Sequence, residues 1–186
     1  MANFEKIICW LLYQEDSKKS PGKVVDLQDG AGLTRLGLTQ RWHQKDVPLD
    51  FFSTMSFGNA VQVAKQAYRK QYWNVIDGDL INSDLIAAML LSFSVNDNSL
   101  IAVEVLQRVL GVDVDGHIGP GTLSELNSKD PAAVAEQFRL QWIDFYHQIV
   151  KIAPSKQQFL NGWIARAKFP FPSSEVLPIY DNSDKT

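Results

Sequence analysis

This 186-residue sequence contains few cysteines and histidines and no long run of basic residues. The single cysteine, Cys9, excludes an internal disulfide, and its place in the apolar run 7–12 is typical of a small buried side chain. Lys and Arg form no long run and the net charge is −3, so we expect no nucleic-acid partner. The three histidines lie in unrelated contexts and no EF-hand spacing occurs, so we expect no metal and no cofactor.

Long hydrophobic runs and a leader pattern are also missing. Residues 1–6 lack a basic segment followed by an apolar core and a small-residue cleavage site, so we expect synthesis in the cytoplasm without a signal peptide. The longest apolar stretches, such as residues 85–93, are too short to cross a bilayer. Stable membrane insertion is therefore not expected.

Helical periodicity dominates what is present. Apolar residues recur at helical spacing in six segments, and the one near residues 85–93 is apolar nearly all round, which predicts a central core helix. Residues 17–37 are instead rich in turn formers, which predicts a small irregular or β-hairpin region. The sequence thus predicts an all-α protein with one such loop region; the helical segments are residues 4–12, 59–72, 82–93, 99–110, 131–149 and 154–164.

The segment from Glu15 to Thr34 carries the candidate chemistry. A carboxylate closes an apolar helix, and a Gly-rich loop follows with a second carboxylate, Asp29, and the hydroxyl of Thr34. Hydrolysis of a glycosidic bond needs a protonated acid for the leaving oxygen and a second group across the sugar. A carboxyl at the end of a buried helix suits the first role, because partial desolvation disfavours its charged form. Spacing alone favours a solvated helix end followed by an ordinary turn.

Several blocks of the sequence, in the same order, resemble glycoside hydrolase family 108, the N-acetylmuramidases of phages and bacteria. The first is Phe4-Glu5-Lys6 with the apolar helix that ends at Glu15. The others are residues 29–40 (DGAGLTRLGLTQ), 68–73 (YRKQYW) and 93–96 (FSVN). Residues 106–111, 114–120 and 159–163, with Arg166, resemble the predicted peptidoglycan-binding module that follows in that family.

The resemblance implies a lysozyme-like helical fold and a set of site residues. Glu15 matches the catalytic acid, with Asp29 as the second carboxylate and Thr34 as a hydroxyl that holds a water. Substrate-binding roles are implied for Tyr72, Trp73 and Asn96. The implied domains are a catalytic lobe over residues 1–96, a helical peptidoglycan-binding module over 97–172 and a flexible tail over 173–186.

This sequence departs from the family pattern around the candidate acid. Glu15 is followed by Asp16 and Ser17 rather than by two glycines, and the connection to Asp29 is longer than in the family. Two alternatives follow from this difference. Asp26 competes with Asp29 for the role of second carboxylate, and Asp16 competes with Glu15.

The implied activity is hydrolysis of the β-1,4 bond between N-acetylmuramic acid and N-acetylglucosamine. A non-catalytic peptidoglycan-binding or assembly protein and a lytic transglycosylase are the alternatives. Peptidoglycan strands are the expected partner, acted on in the periplasm or cell wall. A chain without a leader would need a holin, a toxin-secretion system or a contact-dependent system for delivery, and an antibacterial role would add an immunity protein.

Overall fold

A computed structural model of the protein describes residues 1–16, 20–28, 30–169, 171 and 180. The chain forms two compact units. The N-terminal unit comprises Glu5–Gln71 and Ser173–Thr186, and the C-terminal unit comprises Met1–Phe4 and Tyr72–Pro172. This division does not coincide with the predicted modules 1–96 and 97–172, whose functional boundary stays a prediction.

Helices α1 (Phe4–Glu15), α2 (Gln40–His43) and α3 (Phe57–Tyr68) surround a small sheet in the first part of the chain. Four apolar side chains of α1 are fully buried, as their helical spacing predicts; they are Ile7, Ile8, Leu11 and Leu12. Ser56 caps α3 by accepting a hydrogen bond from the Asn59 amide. Cys9 is buried, which confirms its interpretation as a small core side chain.

The sheet consists of three short antiparallel strands: β1 (Val25–Asp26), β2 (Leu33–Arg35) and β3 (Leu38–Thr39), in the order β1-β2-β3. Thr34 pairs with Val25 on one side and with Thr39 on the other. Leu36 and Gly37 form the two-residue turn between β2 and β3, and both have positive φ, as a type I′ turn requires. The predicted hairpin region is confirmed, and it extends to Thr39.

The C-terminal unit is built from five helices: α4 (Asp84–Asn96), α5 (Ser99–Leu110), α6 (Pro120–Ser128), α7 (Pro131–Ile152) and α8 (Gln157–Ala167). Helix α4 contacts α5, α7 and α8, and its residues 86–94 are all buried, as its all-round apolar sequence predicts. Asp130 caps α7 by accepting from the Ala133 amide, with Pro131 in the first turn. Between α3 and α4 lie a π-helical turn (Arg69–Trp73) and a 3-10 turn (Gly78–Leu80).

Aromatic rings fill the space between α4 and α7. The Phe93 ring stacks on Trp142 with centroids 4.7 Å apart and planes 11° from parallel. Tyr146 lies one helical turn beyond Trp142 and stacks on Trp163 of α8. Each such pair adds about 0.5–1.5 kcal/mol beyond the burial of apolar area. The mainly helical, lysozyme-like fold class predicted from the sequence is confirmed; within the described residues, no helix is both long and apolar enough to span a membrane.

Tyr180 is the described residue of the segment predicted as a flexible tail after residue 172. It is 2% exposed, and its hydroxyl donates a 3.0 Å hydrogen bond to Oδ2 of Asp16. Its carbonyl also accepts from the Cys9 thiol, and its ring packs against Phe57. The flexibility of the segment stays a prediction. The other residues of the predicted tail, 173–179 and 181–186, lie outside the described residues.

Gln107 of α5 organises the turn between α5 and α6 (residues 111–119). The side chain is 1% exposed, and its Nε2 donates to Asp115 Oδ1, the His117 carbonyl and Thr122 Oγ1. Its Oε1 accepts from the backbone amides of Asp115 and Gly116. One buried amide therefore fixes both ends of a turn that has no regular secondary structure of its own.

Replacing this amide should destabilise the C-terminal unit. We expect Gln107→Ala to lower the free energy of unfolding by about 3 kcal/mol, because it leaves several buried donors and acceptors without partners. Gln148→Ala, at an exposed position of α7, is the matched control and should change it by less than about 0.5 kcal/mol. Urea denaturation of both variants measures the difference, and equal effects would contradict the role of Gln107.

His43 ends α2 with a buried imidazole. The side chain is 8% exposed, and Nδ1 lies 3.0 Å from both the amide nitrogen and the carbonyl oxygen of Thr39. Burial lowers the pKa of His43 below its ordinary value of 6.5, although the Thr39 carbonyl and Asp46 oppose this shift. The folded protein therefore resists protonation of this ring more than the unfolded chain does.

Acidification should consequently destabilise the protein. Below about pH 6.5 the unfolded chain binds a proton at His43 more readily than the folded chain, so the free energy of unfolding falls as the pH drops. His43→Gln should flatten this slope between pH 6.5 and the lower pKa of the folded state. Denaturant titrations at several pH values measure the slope for both proteins, and a slope that survives His43→Gln would assign it to other groups.

Candidate functional site

Helix α1 places Glu15 at the edge of the apolar core. Leu11 and Leu12 are fully buried, and Glu15 follows them by four and three residues, on the same side of the helix. The Glu15 side chain is half-buried. The helix thus brings a carboxyl group to the boundary between core and solvent, as the sequence predicts.

A cleft of about 230 Å³ opens beside Glu15 within the N-terminal unit. Both Glu15 and Thr34 line it, so two of the three predicted catalytic residues come together. The remaining lining residues come from the loop after α1, from the β1 region and from the turn after β2; they are Asp16, Lys23, Val25, Leu27, Arg35, Leu36 and Gly37.

Thr34 contributes a hydroxyl to this cleft. It sits in the middle strand of the sheet, paired on both sides, so its backbone position is fixed. Its Oγ1 is buried and has no hydrogen-bond partner among the described residues. A buried hydroxyl that has no partner among the described residues and that lines a cleft together with a carboxyl is suited to hold a water molecule.

The two candidates for the second carboxylate differ in what the structure describes. Asp26 is exposed, and its Oδ1 accepts a 2.8 Å hydrogen bond from the Gln28 amide. Its neighbours Val25 and Leu27 line the cleft but Asp26 does not, because alternate residues of an extended strand face opposite sides. Asp26 is therefore directed away from Glu15. Asp29 lies outside the described residues, so its role stays a prediction.

Asp16, the predicted competitor of Glu15, is bound into the structure of the loop. The residue is 9% exposed, and its Oδ2 accepts from the Gly22 amide at 2.6 Å and from the Tyr180 hydroxyl at 3.0 Å. Because one of its oxygens accepts from two donors, Asp16 has a structural role in the loop. This role could not be predicted from the sequence of residues 15–22.

Arg35 completes this arrangement. Its Nε donates to the Gly22 carbonyl and a terminal nitrogen donates to the Phe51 carbonyl, both at 2.8 Å. Burial lowers the pKa of Arg35, and the charges of Asp16 and Asp50 oppose that shift. The guanidinium thus crosslinks two loop segments next to the cleft.

Gly37 packs directly against the candidate acid. Its φ is +78°, and a Cβ at this position would lie 2.6 Å from Glu15 Cβ and would also overlap the Tyr68 hydroxyl. That hydroxyl donates a 3.1 Å hydrogen bond to the Leu36 carbonyl in the same turn. Glu15 is therefore held against a turn that accepts only glycine at this residue.

The predicted substrate-binding residues belong to the C-terminal unit. Trp73 is fully buried, its Nε1 donates to Asp79 Oδ1 at 2.9 Å, and the Phe4 ring packs edge-on at 5.1 Å. A ring in that position presents no face to a sugar, so the expected substrate role of Trp73 is replaced by a core role. Tyr72 is half-buried, and burial raises the pKa of its phenol. The amide of Asn96 donates to the Tyr146 hydroxyl at 2.6 Å.

A second concavity of about 550 Å³ lies at the turn that Gln107 organises. Its lining includes Asp113, Asp115 and Glu125, together with three glycines of the turn and the start of α6. A Cβ at any of those glycines, Gly111, Gly119 or Gly121, would meet no other atom within 4 Å. Among the described residues, no group of three or more His, Cys, Asp or Glu side chains is arranged to hold a metal ion.

Comparison with known proteins links this chain to peptidoglycan. Residues 101–168 match the family model described as Predicted Peptidoglycan domain. The chain is also similar to the solved structure of SagA from Brucella abortus, with 25% identity, a TM-score of 0.67 and 88% of each chain covered. No curated protein matches it.

The match of residues 101–168 agrees with the peptidoglycan-binding module that the resemblance of residues 106–166 implied. Neither match names glycoside hydrolase family 108, so that assignment stays a prediction.

The fit between Gly37 and Glu15 can be tested against a matched glycine. Gly30 has a similar φ of +82°, but a Cβ there would meet no other atom within 4 Å. We expect Gly30→Ala to cost about 1 kcal/mol through backbone strain alone, and Gly37→Ala about 3 kcal/mol because overpacking is added. Equal losses in urea denaturation would show that Gly37 is required for its φ and not for the space that Glu15 needs.

Proposed function

We propose that the protein is a peptidoglycan hydrolase of the muramidase type, with Glu15 as the proton donor. The observation that carries the proposal is that one cleft is lined by a half-buried carboxyl at a helix end and by a buried hydroxyl that has no hydrogen-bond partner among the described residues. The match of residues 101–168 to a Predicted Peptidoglycan domain supports the choice of substrate and of the cell wall as the site of action.

In this mechanism Glu15 protonates the glycosidic oxygen as the bond to the anomeric carbon breaks. In this role Glu15 must enter the reaction protonated, as general acid catalysis requires. Thr34 holds a water next to the sugar, and that water attacks the anomeric carbon. Asp29 is the proposed second carboxylate, which either removes the proton from this water or stabilises the positive charge while the Glu15 carboxylate, having given up its own proton, accepts the proton from the water. Tyr72 and Asn96 remain proposed contacts to the glycan.

Two other functions are each favoured by a specific observation. A lytic transglycosylase uses an acid in the position of Glu15 and needs no second carboxylate, and Asp26 does not line the cleft. A non-catalytic peptidoglycan-binding protein would need only the C-terminal unit, whose concavity at the Gln107 turn is the larger of the two described here. The muramidase proposal is preferred because a purely binding chain gives no reason for Glu15 to share a cleft with a buried hydroxyl that lacks a partner among the described residues.

Substitution of the proposed acid tests the hydrolase directly. Purified wild-type protein should release new reducing ends from glycan strands, and Glu15→Gln should reduce that rate by about 10³-fold because general acid catalysis is lost. Glu136→Gln, which removes an exposed carboxylate paired with Arg139, should retain full activity. Circular dichroism and thermal melting must show that both variants are folded. Activity close to wild type in Glu15→Gln would exclude the proposed donor.

The same assay separates the alternatives. Asp29→Asn should reduce the rate strongly and Asp26→Asn should not, because Asp26 faces away from the cleft. Mass spectrometry of the products distinguishes hydrolysis from transglycosylation, since only the latter leaves 1,6-anhydro ends. Sedimentation of the wild-type protein with sacculi, without any new ends, would favour the binding protein.

A further inference from the structure

The β1 edge presents one cation and two apolar side chains to the cleft beside Glu15. Lys23, Val25 and Leu27 line the cleft, whereas the intervening residues Val24 and Asp26 do not. This is the alternation expected of an extended chain, in which every second side chain faces the same side. All three cleft-facing residues are exposed, so they are accessible to a ligand.

The backbone immediately before Lys23 is fixed from three directions. The Gly22 amide donates to Asp16, the Gly22 carbonyl accepts from Arg35, and a Cβ at Gly22 would overlap the Phe57 ring. The Lys23 amide itself donates to the Ser20 carbonyl at 3.1 Å. Lys23 therefore starts from a fixed position, although its side chain extends into solvent.

The charge of Lys23 is not neutralised within the described part of the chain, where its side chain forms no ion pair. The other cation of the cleft, Arg35, is bonded to two backbone carbonyls and lies near Asp16 and Asp50. An exposed ammonium that starts from a fixed backbone position, next to two apolar side chains, is suited to a ligand that carries an anionic group beside an apolar surface.

N-acetylmuramic acid has that combination of groups. It differs from N-acetylglucosamine by a lactyl ether, which adds a methyl group and a carboxylate where no peptide is attached. We propose that Lys23 is a specificity-determining residue, whose ammonium pairs with this lactyl carboxylate while Val25 and Leu27 contact the lactyl methyl and the C–H face of the sugar. The inference rests on the proposed assignment of this cleft to the glycan, and it gives the cleft a means to distinguish muramoyl residues from glucosaminyl ones.

The expected effect is modest because the side chain is exposed. A single charge pair open to solvent changes affinity by about 5-fold, and salt screens it. The contribution should therefore appear as a difference between charged and neutral ligands, and it should shrink at about 0.5 M salt.

A binding experiment with two matched probes tests the proposal. The parent is the full chain carrying Glu15→Gln, which slows turnover. The probes are a peptide-free muramoyl tetrasaccharide with free lactyl carboxylates and the same sugar with those carboxylates converted to methylamides. Titration calorimetry should give about 5-fold tighter binding of the acid form. Adding Lys23→Met should remove that preference, and adding Lys45→Met, at another exposed lysine of the same unit, should preserve it.

The possible outcomes separate this inference from the proposed hydrolase. Loss of affinity for both probes in Lys23→Met would show that Lys23 acts through shape, and a parent that binds both probes equally or binds neither would also overturn the proposal. Wild-type turnover without any Lys23-dependent preference would support the proposed hydrolase and reject the role of Lys23. A preference for the acid form without wild-type turnover would support the role of Lys23 and reject the hydrolase. Thermal melting of each variant excludes misfolding as a cause.

Discussion

The buried carboxylate of Asp16 is the interaction on which the cleft of the N-terminal unit depends. It accepts from the Gly22 amide and from the Tyr180 hydroxyl, and the Arg35 guanidinium lies close enough to act on it electrostatically. A buried charge without such donors would be strongly unfavourable. The loop after α1 must therefore close onto Asp16, and this closure fixes the segment that supplies one wall of the cleft.

Two adjacent carboxylates differ in their surroundings. Both line the cleft, but Asp16 is 9% exposed and its Oδ2 accepts two hydrogen bonds, whereas Glu15 is half-buried. Asp16 therefore has a structural role in the loop, and Glu15 is the carboxylate proposed for the chemistry.

The sequence was most informative where a single periodic pattern dominates. Burial along α1 and α4 follows directly from the spacing of their apolar residues, and the Ser and Asp caps follow from the need to satisfy the first amides of a helix. The prediction that Glu15 and Thr34 share a site came from ordered motifs, because no local rule joins a helix end to a strand that begins 18 residues later. That the two residues line one cleft agrees with it.

Other features depended on geometry that the sequence does not encode locally. Residue type alone did not distinguish Asp26 from Asp29 as the second carboxylate. The alternating direction of side chains along β1 is what leaves Asp26 out of the cleft lining. Trp73 lay in a motif suggestive of sugar binding, yet the partner that holds its indole nitrogen, Asp79, belongs to no recognisable pattern. The cleft-facing position of Lys23 follows from alternation, but which face of β1 points inward depends on tertiary packing.

The hydroxyl of Tyr180 reaches a carboxylate made 164 residues earlier. During synthesis, the ribosome releases α1, the sheet and the loop after α1 long before this phenol exists. Until then the buried oxygen of Asp16 lacks one of its two donors, so this contact can form only after translation has passed residue 180.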